Sequence, residues 1–125
     1  MSSGNIYACK AISLNSLVKE SSKHKLENEI YLHSICHHPN IVKYERHFPD
    51  DLNVYILLEL CENQTLLELI KKRKQLTETE VKFFMWQLID VCDYLHTKQR
   101  IIHRDLKLGN LFLTGQMNLK LGDFG

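Results

Sequence analysis

The run His103-Arg104-Asp105-Leu106-Lys107-Leu108-Gly109-Asn110, followed further on by Asp123-Phe124-Gly125, decides how this chain is read. Between the two runs lie residues 111–113 and 119–121, two short apolar strands with Gly115 in the turn that joins them. A hairpin of this kind returns Asp123 to the side of Asn110, so two carboxylates, an amide and a lysine gather in one place. Residues 101–103 read as a further short strand leading into the loop. Upstream, a helix is expected over about Glu78 to Lys98, entered through the capping-box pair Thr77 and Glu80. Its apolar residues, among them Phe83, Phe84, Trp86, Ile89 and Leu95, cover most of its circumference, which belongs inside a helical layer. The sequence supplies one other helix nearby, about Leu66 to Lys72, with Thr65 and Glu68 as its capping pair. The expectation is that most of this layer lies in sequence beyond the chain.

The first half reads differently. Residues 5–13 alternate, with Ile6, Ala8, Lys10 and Ile12 on one face, so a lysine stands on a mostly apolar side of a strand. A looser helical pattern follows over residues 22–36, with Ser21 or Ser22 as its cap. After His37-His38-Pro39-Asn40, two apolar runs, Ile41 to Phe48 and Val54 to Leu60, flank the turn-like Pro49-Asp50-Asp51 and read as a strand pair. No internal repeat, low-complexity tract or extended linker interrupts the order.

Composition narrows the class. The 125 residues are 44% hydrophobic and 25% charged, the balance of an ordinary globular domain, and a formal net charge of +1 offers no field directed at nucleic acid or an anionic membrane. No apolar stretch approaches the roughly 20 residues of a membrane span, and the N-terminus lacks the pattern of a secretory signal. Cys9, Cys36, Cys61 and Cys92 are scattered without a C-x-x-C pair, which suits a reducing compartment better than a disulfide framework or a zinc site. The expectation is an intracellular protein that is not inserted in a membrane.

The loop and the Asp-Phe-Gly run match the H-R-D-x-x-x-x-N and D-F-G motifs, so the chain resembles the protein kinases. Seven fixed residues at fixed spacing, each expected about once in twenty by usage, leave little room for coincidence. Leu58-Glu59-Leu60-Cys61, the segment from Asp105 through Phe112 to Leu113, and the stretch from Leu66 to Glu78 are similar to the polo-like kinases. The resemblance spans nearly the whole chain. It implies an α+β protein-kinase-like fold, truncated: a small antiparallel-sheet lobe with one helix over residues 1–57, a hinge at 58–63, and the start of a mainly helical lobe over 64–125.

It also implies roles. Asp105 would orient or accept the proton of an acceptor hydroxyl, and Lys107 would touch the transferred phosphate, favouring serine or threonine over tyrosine. Asn110 and Asp123 would offer the hard oxygen ligands that Mg2+ prefers. Lys10, with Ala8 on the same strand, would meet the phosphates of ATP, held by Glu29 in preference to Glu27. Glu59 and Cys61 would present backbone groups to the adenine, with Leu58 as gatekeeper and Phe112 as floor. His103 and Phe124 would pack rather than react, and His33 would lie near their column. The implied partners are ATP and proteins with Ser or Thr acceptors, acting in the cytoplasm or nucleus and at mitotic structures such as centrosome or spindle.

Two departures stand out: Gly4 is the lone glycine before Lys10, where the family has a glycine-rich loop, and no activation segment follows Gly125. The fragment itself is therefore expected to be inactive. The alternative is a non-catalytic kinase-like regulatory fragment, whose usual mark would be loss of Lys10, Asp105 or Asp123; all three are present. A nucleotide-binding module of unrelated fold would need G-x-x-x-x-G-K-[ST], which is absent. Cys36, His37 and His38 lack two further zinc ligands at suitable spacing, and the basic run Lys71 to Lys74 reads as a solvated helix end.

Overall fold

The computed structural model describes residues 4–124; the glycine that closes Asp123-Phe124-Gly125 and the first three residues lie outside the described residues. Strand β1 (Tyr7–Ser13), helix α1 (Glu20–Ile35), strands β2 (Tyr44–Pro49) and β3 (Asn53–Glu59) form the first half. The strands make an antiparallel sheet in the order β1-β3-β2. The register sets Ala8 opposite Leu58, Lys10 opposite Ile56 and Ile12 opposite Val54, so the alternating face read from the sequence meets the apolar run of β3. Under this sheet Leu17, Leu26 and Ile56 form a small core, with Ile12, Ile30, Tyr44, Val54 and Leu58 packed on it.

Two boundaries here differ from the sequence expectation. Helix α1 starts at Glu20 on Lys19, with no side-chain cap, so neither Ser21 nor Ser22 caps it. Strand β2 starts at Tyr44 rather than Ile41, because residues 40–42 turn away to bond to the second half of the chain. The turn between β2 and β3 is held by Asp50, whose Oδ1 accepts from the amides of Leu52 (2.8 Å) and Asn53 (2.6 Å).

The second half contains α2 (Leu66–Arg73), α3 (Glu78–Asp93) and the hairpin β4 (Leu111–Leu113) with β5 (Leu119–Leu121). Thr77 and Glu80 make the full reciprocal capping box. Thr65 accepts from the Glu68 amide at 3.4 Å, which is half of one. The long helix expected to Lys98 is α-helical only to Asp93; residues 94–99 open into a wide π turn that ends at Arg100 in the left-handed region (φ 56). Residues 101–103 form no strand among the described residues, correcting the third short strand read from the sequence.

Val91, Leu95, Leu113, Leu119 and Leu121 are fully excluded from solvent at the centre of the main core. Each contributes about 1.5–3 kcal/mol of burial. By contrast Phe83, Trp86 and Ile89 on the outer face of α3 are 47%, 78% and 60% exposed, so that face is apolar and uncovered among the described residues. No helix among the described residues is long and apolar enough to cross a membrane.

A strap of residues 40–42 joins the halves. The Val42 amide donates to the Leu121 carbonyl (2.9 Å) and the Leu121 amide to the Asn40 carbonyl (2.8 Å). The Asn40 amide group donates to Gln87 Oε1 and to the Leu119 carbonyl, both at 2.8 Å, and Gln87 Oε1 also accepts from the Leu119 amide at 2.9 Å. These buried polar groups satisfy one another, and they bring β5, which leads directly into Asp123, under the sheet that carries Lys10.

Candidate active site

Between β1, the segment after β3 and the β4–β5 hairpin lies a cleft of about 550 Å³. Ala8, Lys10, Leu58, Glu59, Cys61, Phe112 and Asp123 line it, seven of the positions singled out in the sequence. Glu29, Asp105, Lys107 and Asn110 do not line this cleft; they stand at its edge or behind it.

Lys10 is the centre of charge. Its Nζ lies 3.1 Å from Asp123 Oδ1 and 3.6 Å from Glu29 Oε1. Partial burial pushes its pKa down, but the hydrogen bond and charge of Asp123, with those of Glu29, outweigh it, and the net shift is above the ordinary 10.5. Lys10 is therefore a firm cation. Glu27, the rejected candidate, faces solvent and approaches His24 instead. Glu29 thus pairs with the Lys10 ammonium, as expected from the sequence in preference to Glu27.

The loop after residue 103 builds the second cluster. Asn110 is buried, and its Nδ2 donates to the Asp105 backbone carbonyl at 2.8 Å and to Asp105 Oδ2 at 3.0 Å. Lys107 Nζ stands 3.6 Å from the same Oδ2. With its amide nitrogen occupied, Asn110 has its oxygen left as an acceptor. Asp123 is about half exposed in the left-handed region (φ 54), a conformation that an aspartate tolerates at modest cost. Asp123 has an anionic oxygen to offer and Asn110 a neutral one, the donor chemistry that suits a hard divalent cation keeping waters or substrate oxygens as its other ligands. No group of three or more His, Cys, Asp or Glu side chains suited to a metal occurs among the described residues.

His103 does more than pack. Its Nε2 lies 2.7 Å from the Gly122 carbonyl, and the Asp105 amide donates to its Nδ1 at 3.2 Å. A carbonyl can only accept and an amide N–H only donate, so the ring is neutral with its proton on Nε2. It links the residue before Asp123 to Asp105. Phe124 sits between the two buried imidazoles, 4.8 Å from His33 and 5.1 Å from His103 between ring centres.

A match to the protein kinase domain extends over residues 1–125. The chain belongs to the protein kinase family. It is 51% identical over 123 residues to the cell cycle serine/threonine-protein kinase CDC5/MSD2 of Saccharomyces cerevisiae, covering 98% of this chain and 17% of that protein. It is 46% identical over 121 residues to the serine/threonine-protein kinase polo of Drosophila melanogaster (97% of this chain, 21% of that protein). To serine/threonine-protein kinase PLK2 of Rattus norvegicus it is 42% identical over 125 residues (100% and 18%). The chain thus spans about a fifth of the length of these polo-like relatives.

Within this kinase domain the structure adds residues that the sequence did not single out. Gly122 is one: a Cβ built there would come within 2.8 Å of Phe112 Cε2 and 3.1 Å of Cδ2, so the Phe112 ring lies flat against its backbone. A glycine directly before Asp-Phe-Gly was the available signal. Val42, Gln64 and Thr65 also line the cleft; Thr65 was marked only as a helix cap, and for the other two the sequence carried no mark. The carboxylate of Glu59 accepts Lys120 Nζ at 2.7 Å and the Lys43 amide at 3.0 Å, pinning the segment after β3 to the hairpin.

Proposed function

We propose that this chain carries the ATP site and phosphoryl-transfer residues of a polo-like serine/threonine kinase. One observation carries the reading: Lys10 stands between Glu29 and Asp123 on one side of the cleft, while Asp105, Lys107 and Asn110 converge beside it. Phosphoryl transfer asks the protein for positioning and charge rather than covalent chemistry, and this is the equipment present. Lys10 supplies the cation for the α- and β-phosphates, kept in place by Glu29. Backbone groups of Glu59 and Cys61 meet the adenine edge, under Leu58 and over Phe112. Asn110 and Asp123 would hold Mg2+, which neutralises charge on the phosphates when bound.

Asp105 accepts the proton of the attacking Ser or Thr hydroxyl. Its Oδ2 is already fixed by Asn110 Nδ2, and the Lys107 ammonium beside it balances negative charge on the group being transferred. The substrates are proteins presenting such hydroxyls. By likeness to polo-like kinases, one of which is named as a cell cycle kinase, the proposed site of action is the cytoplasm or nucleus, at mitotic structures such as centrosome or spindle. In this reading the 125 residues alone transfer little, since the sequence before Lys10 has no glycine-rich cover for the phosphates.

The test is transfer of labelled γ-phosphate to a generic Ser/Thr substrate by the protein with its natural flanking sequence, with and without Asp105→Asn. The substitution should lower turnover by about 10²- to 10⁴-fold with nucleotide affinity nearly unchanged. A variant as fast as the parent would refute the assignment.

A further inference from the structure

A second groove, of about 620 Å³, lies across the hinge from the cleft; Glu59 and Leu60 line both, so the segment after β3 is the wall between them. The transfer chemistry gives this groove no task. Its floor is the turn of the β4–β5 hairpin, with Gly115, Gln116 and Asn118, and its far wall is α3, with Phe83 and, one turn on, Gln87. That wall is fixed, because the buried Gln87 accepts from the Leu119 amide at 2.9 Å and donates through Nε2 to the Phe83 carbonyl at 3.3 Å.

The lining combines an apolar pair with an unbalanced acid. Leu60 and Phe83 are 43% and 47% exposed. Lys120, the one cation among the described residues that line the groove, is already paired, with Glu59 oxygens 2.7 and 2.9 Å from its Nζ. Glu62 is exposed and makes no ion pair among the described residues. Its carboxylate leans on the hairpin turn: a Cβ built on Gly115 would lie 2.9 Å from Oε2. Two carboxylates against one ammonium leave the groove with a net charge of −1, held at Glu62 beside the apolar pair.

We propose that this groove docks an extended segment of a partner protein in which a lysine or arginine stands two positions from an aliphatic residue. Alternate side chains of an extended chain point the same way, so both enter together. The cation meets Glu62, and the aliphatic side chain lies between Leu60 and Phe83. The side-chain amides of Gln116 and Asn118, which bond to nothing else among the described residues, serve the segment's backbone. An acidic segment would be repelled by Glu62, and a purely apolar one would bury that carboxylate without a partner. A docked protein that also carries an acceptor hydroxyl is held near Asp105, which lowers its KM and leaves kcat unchanged. That consequence rests on the phosphoryl-transfer reading; the docking does not.

The probe is a short fluorescein-labelled peptide of Gly and Ser carrying a Lys-Lys pair and, two positions on, a Leu, its binding to the protein with its natural flanking sequence read by anisotropy. Glu62→Lys and Phe83→Ala should each weaken binding by about tenfold. Gln116→Glu, which adds an exposed acid to the turn, should tighten it about threefold. Exchanging the Lys pair for Glu should abolish binding, and saturating ATP should leave the peptide in place. Absence of binding, indifference to both Glu62→Lys and Gln116→Glu, or displacement by ATP would overturn the proposal. Binding by the 125-residue chain but not by the longer protein would give the groove to the flanking sequence, and peptide-free self-association abolished by Glu62→Lys would give it to a second copy; either result also overturns it. Should Asp105→Asn prove harmless while the peptide pattern holds, the transfer reading fails and the docking site stands.

Discussion

Gly122→Ala tests the geometry of the cleft floor. The added methyl would lie 2.8 Å from Phe112 Cε2, 3.1 Å from Cδ2 and 3.5 Å from Val42 Cγ2, with the first two below any comfortable carbon contact. Gly122 cannot yield, because its amide donates to the Asn110 carbonyl at 3.0 Å and its carbonyl accepts His103 Nε2 at 2.7 Å. The Phe112 ring must move instead, and the open side available to it is the cleft. Overpacking of this kind costs about 1–3 kcal/mol, here divided between a less stable fold and a narrowed cleft. Phe112→Leu makes room for the methyl. The double variant should therefore recover at least about half of the loss, a coupling on the order of 1 kcal/mol in a double-mutant cycle. Urea denaturation of the four proteins gives the stability arm, and displacement of a fluorescent planar inhibitor from the cleft gives the binding arm. Gly122→Ala that changes neither, or a cycle with no coupling, would show that Phe112 does not rest on Gly122.

Lys120→Met removes one partner of a mostly buried ion pair and leaves Glu59 with the Lys43 amide, so stability should fall by about 1.5–3 kcal/mol by urea denaturation; a change under about 0.5 kcal/mol would mean that the pair does not pin the hinge. The Cys61 thiol is pushed up to about 11 by burial and by the charge of Glu59, against a smaller opposing effect of Lys120. Its thiolate fraction at pH 8 is then about 10⁻³, and alkylation by iodoacetamide should rise about tenfold per pH unit up to pH 10. A rate that levels off by pH 9 would contradict that burial.

The catalytic loop was legible because its residues act at fixed, short spacing. Asp105, Lys107 and Asn110 fall within six positions, and a local turn brings them together whatever the rest of the chain does. Lys10 stood out as a lysine on a mostly apolar strand face, but its role and its pairing with Glu29 were legible only through the family resemblance. The cleft wall was harder. Glu59 and Lys120 pair across 61 positions, and nothing in either local pattern announces the other. The same holds for His33 and Val42, where the sequence showed a histidine near a packed column but not the carbonyl that takes its proton.

Boundaries failed for a physical reason as well. Ser21 and Ser22 are good caps in isolation, yet α1 begins at Glu20 because the 310 turn over Leu14–Leu17 delivers the chain there and buries Leu17 under the sheet. Residues 41–43 have strand composition, but the Ile41 amide donates to His38, the Val42 amide to Leu121 of β5 and the Lys43 amide to the Glu59 carboxylate, so β2 does not extend over them. Tertiary hydrogen bonds decided these ends, and propensity did not.

The charges in the cleft explain why its parts depend on one another. Lys10 and Lys107 give two cations; Glu29, Asp105 and Asp123 give three carboxylates, so the cluster carries a net charge of −1. A polyphosphate entering alone would meet Lys10 already engaged by two acids, and it would have to displace Asp123, which holds that ammonium at 3.1 Å. Any positive charge that draws Asp123 to itself frees Lys10 for the phosphates, while Glu29 at 3.6 Å keeps the ammonium from following. The two acids therefore have different tasks although both touch one lysine: Asp123, about half exposed, can be recruited away, whereas Glu29 is more buried and rides on α1. Removing Glu29 leaves Lys10 to follow Asp123, and removing Asp123 leaves Lys10 with Glu29 alone and takes the anionic oxygen donor away from the site. Neither loss can be made good by the other acid, and this is why the position of α1 matters to a site whose reacting groups lie mostly outside it.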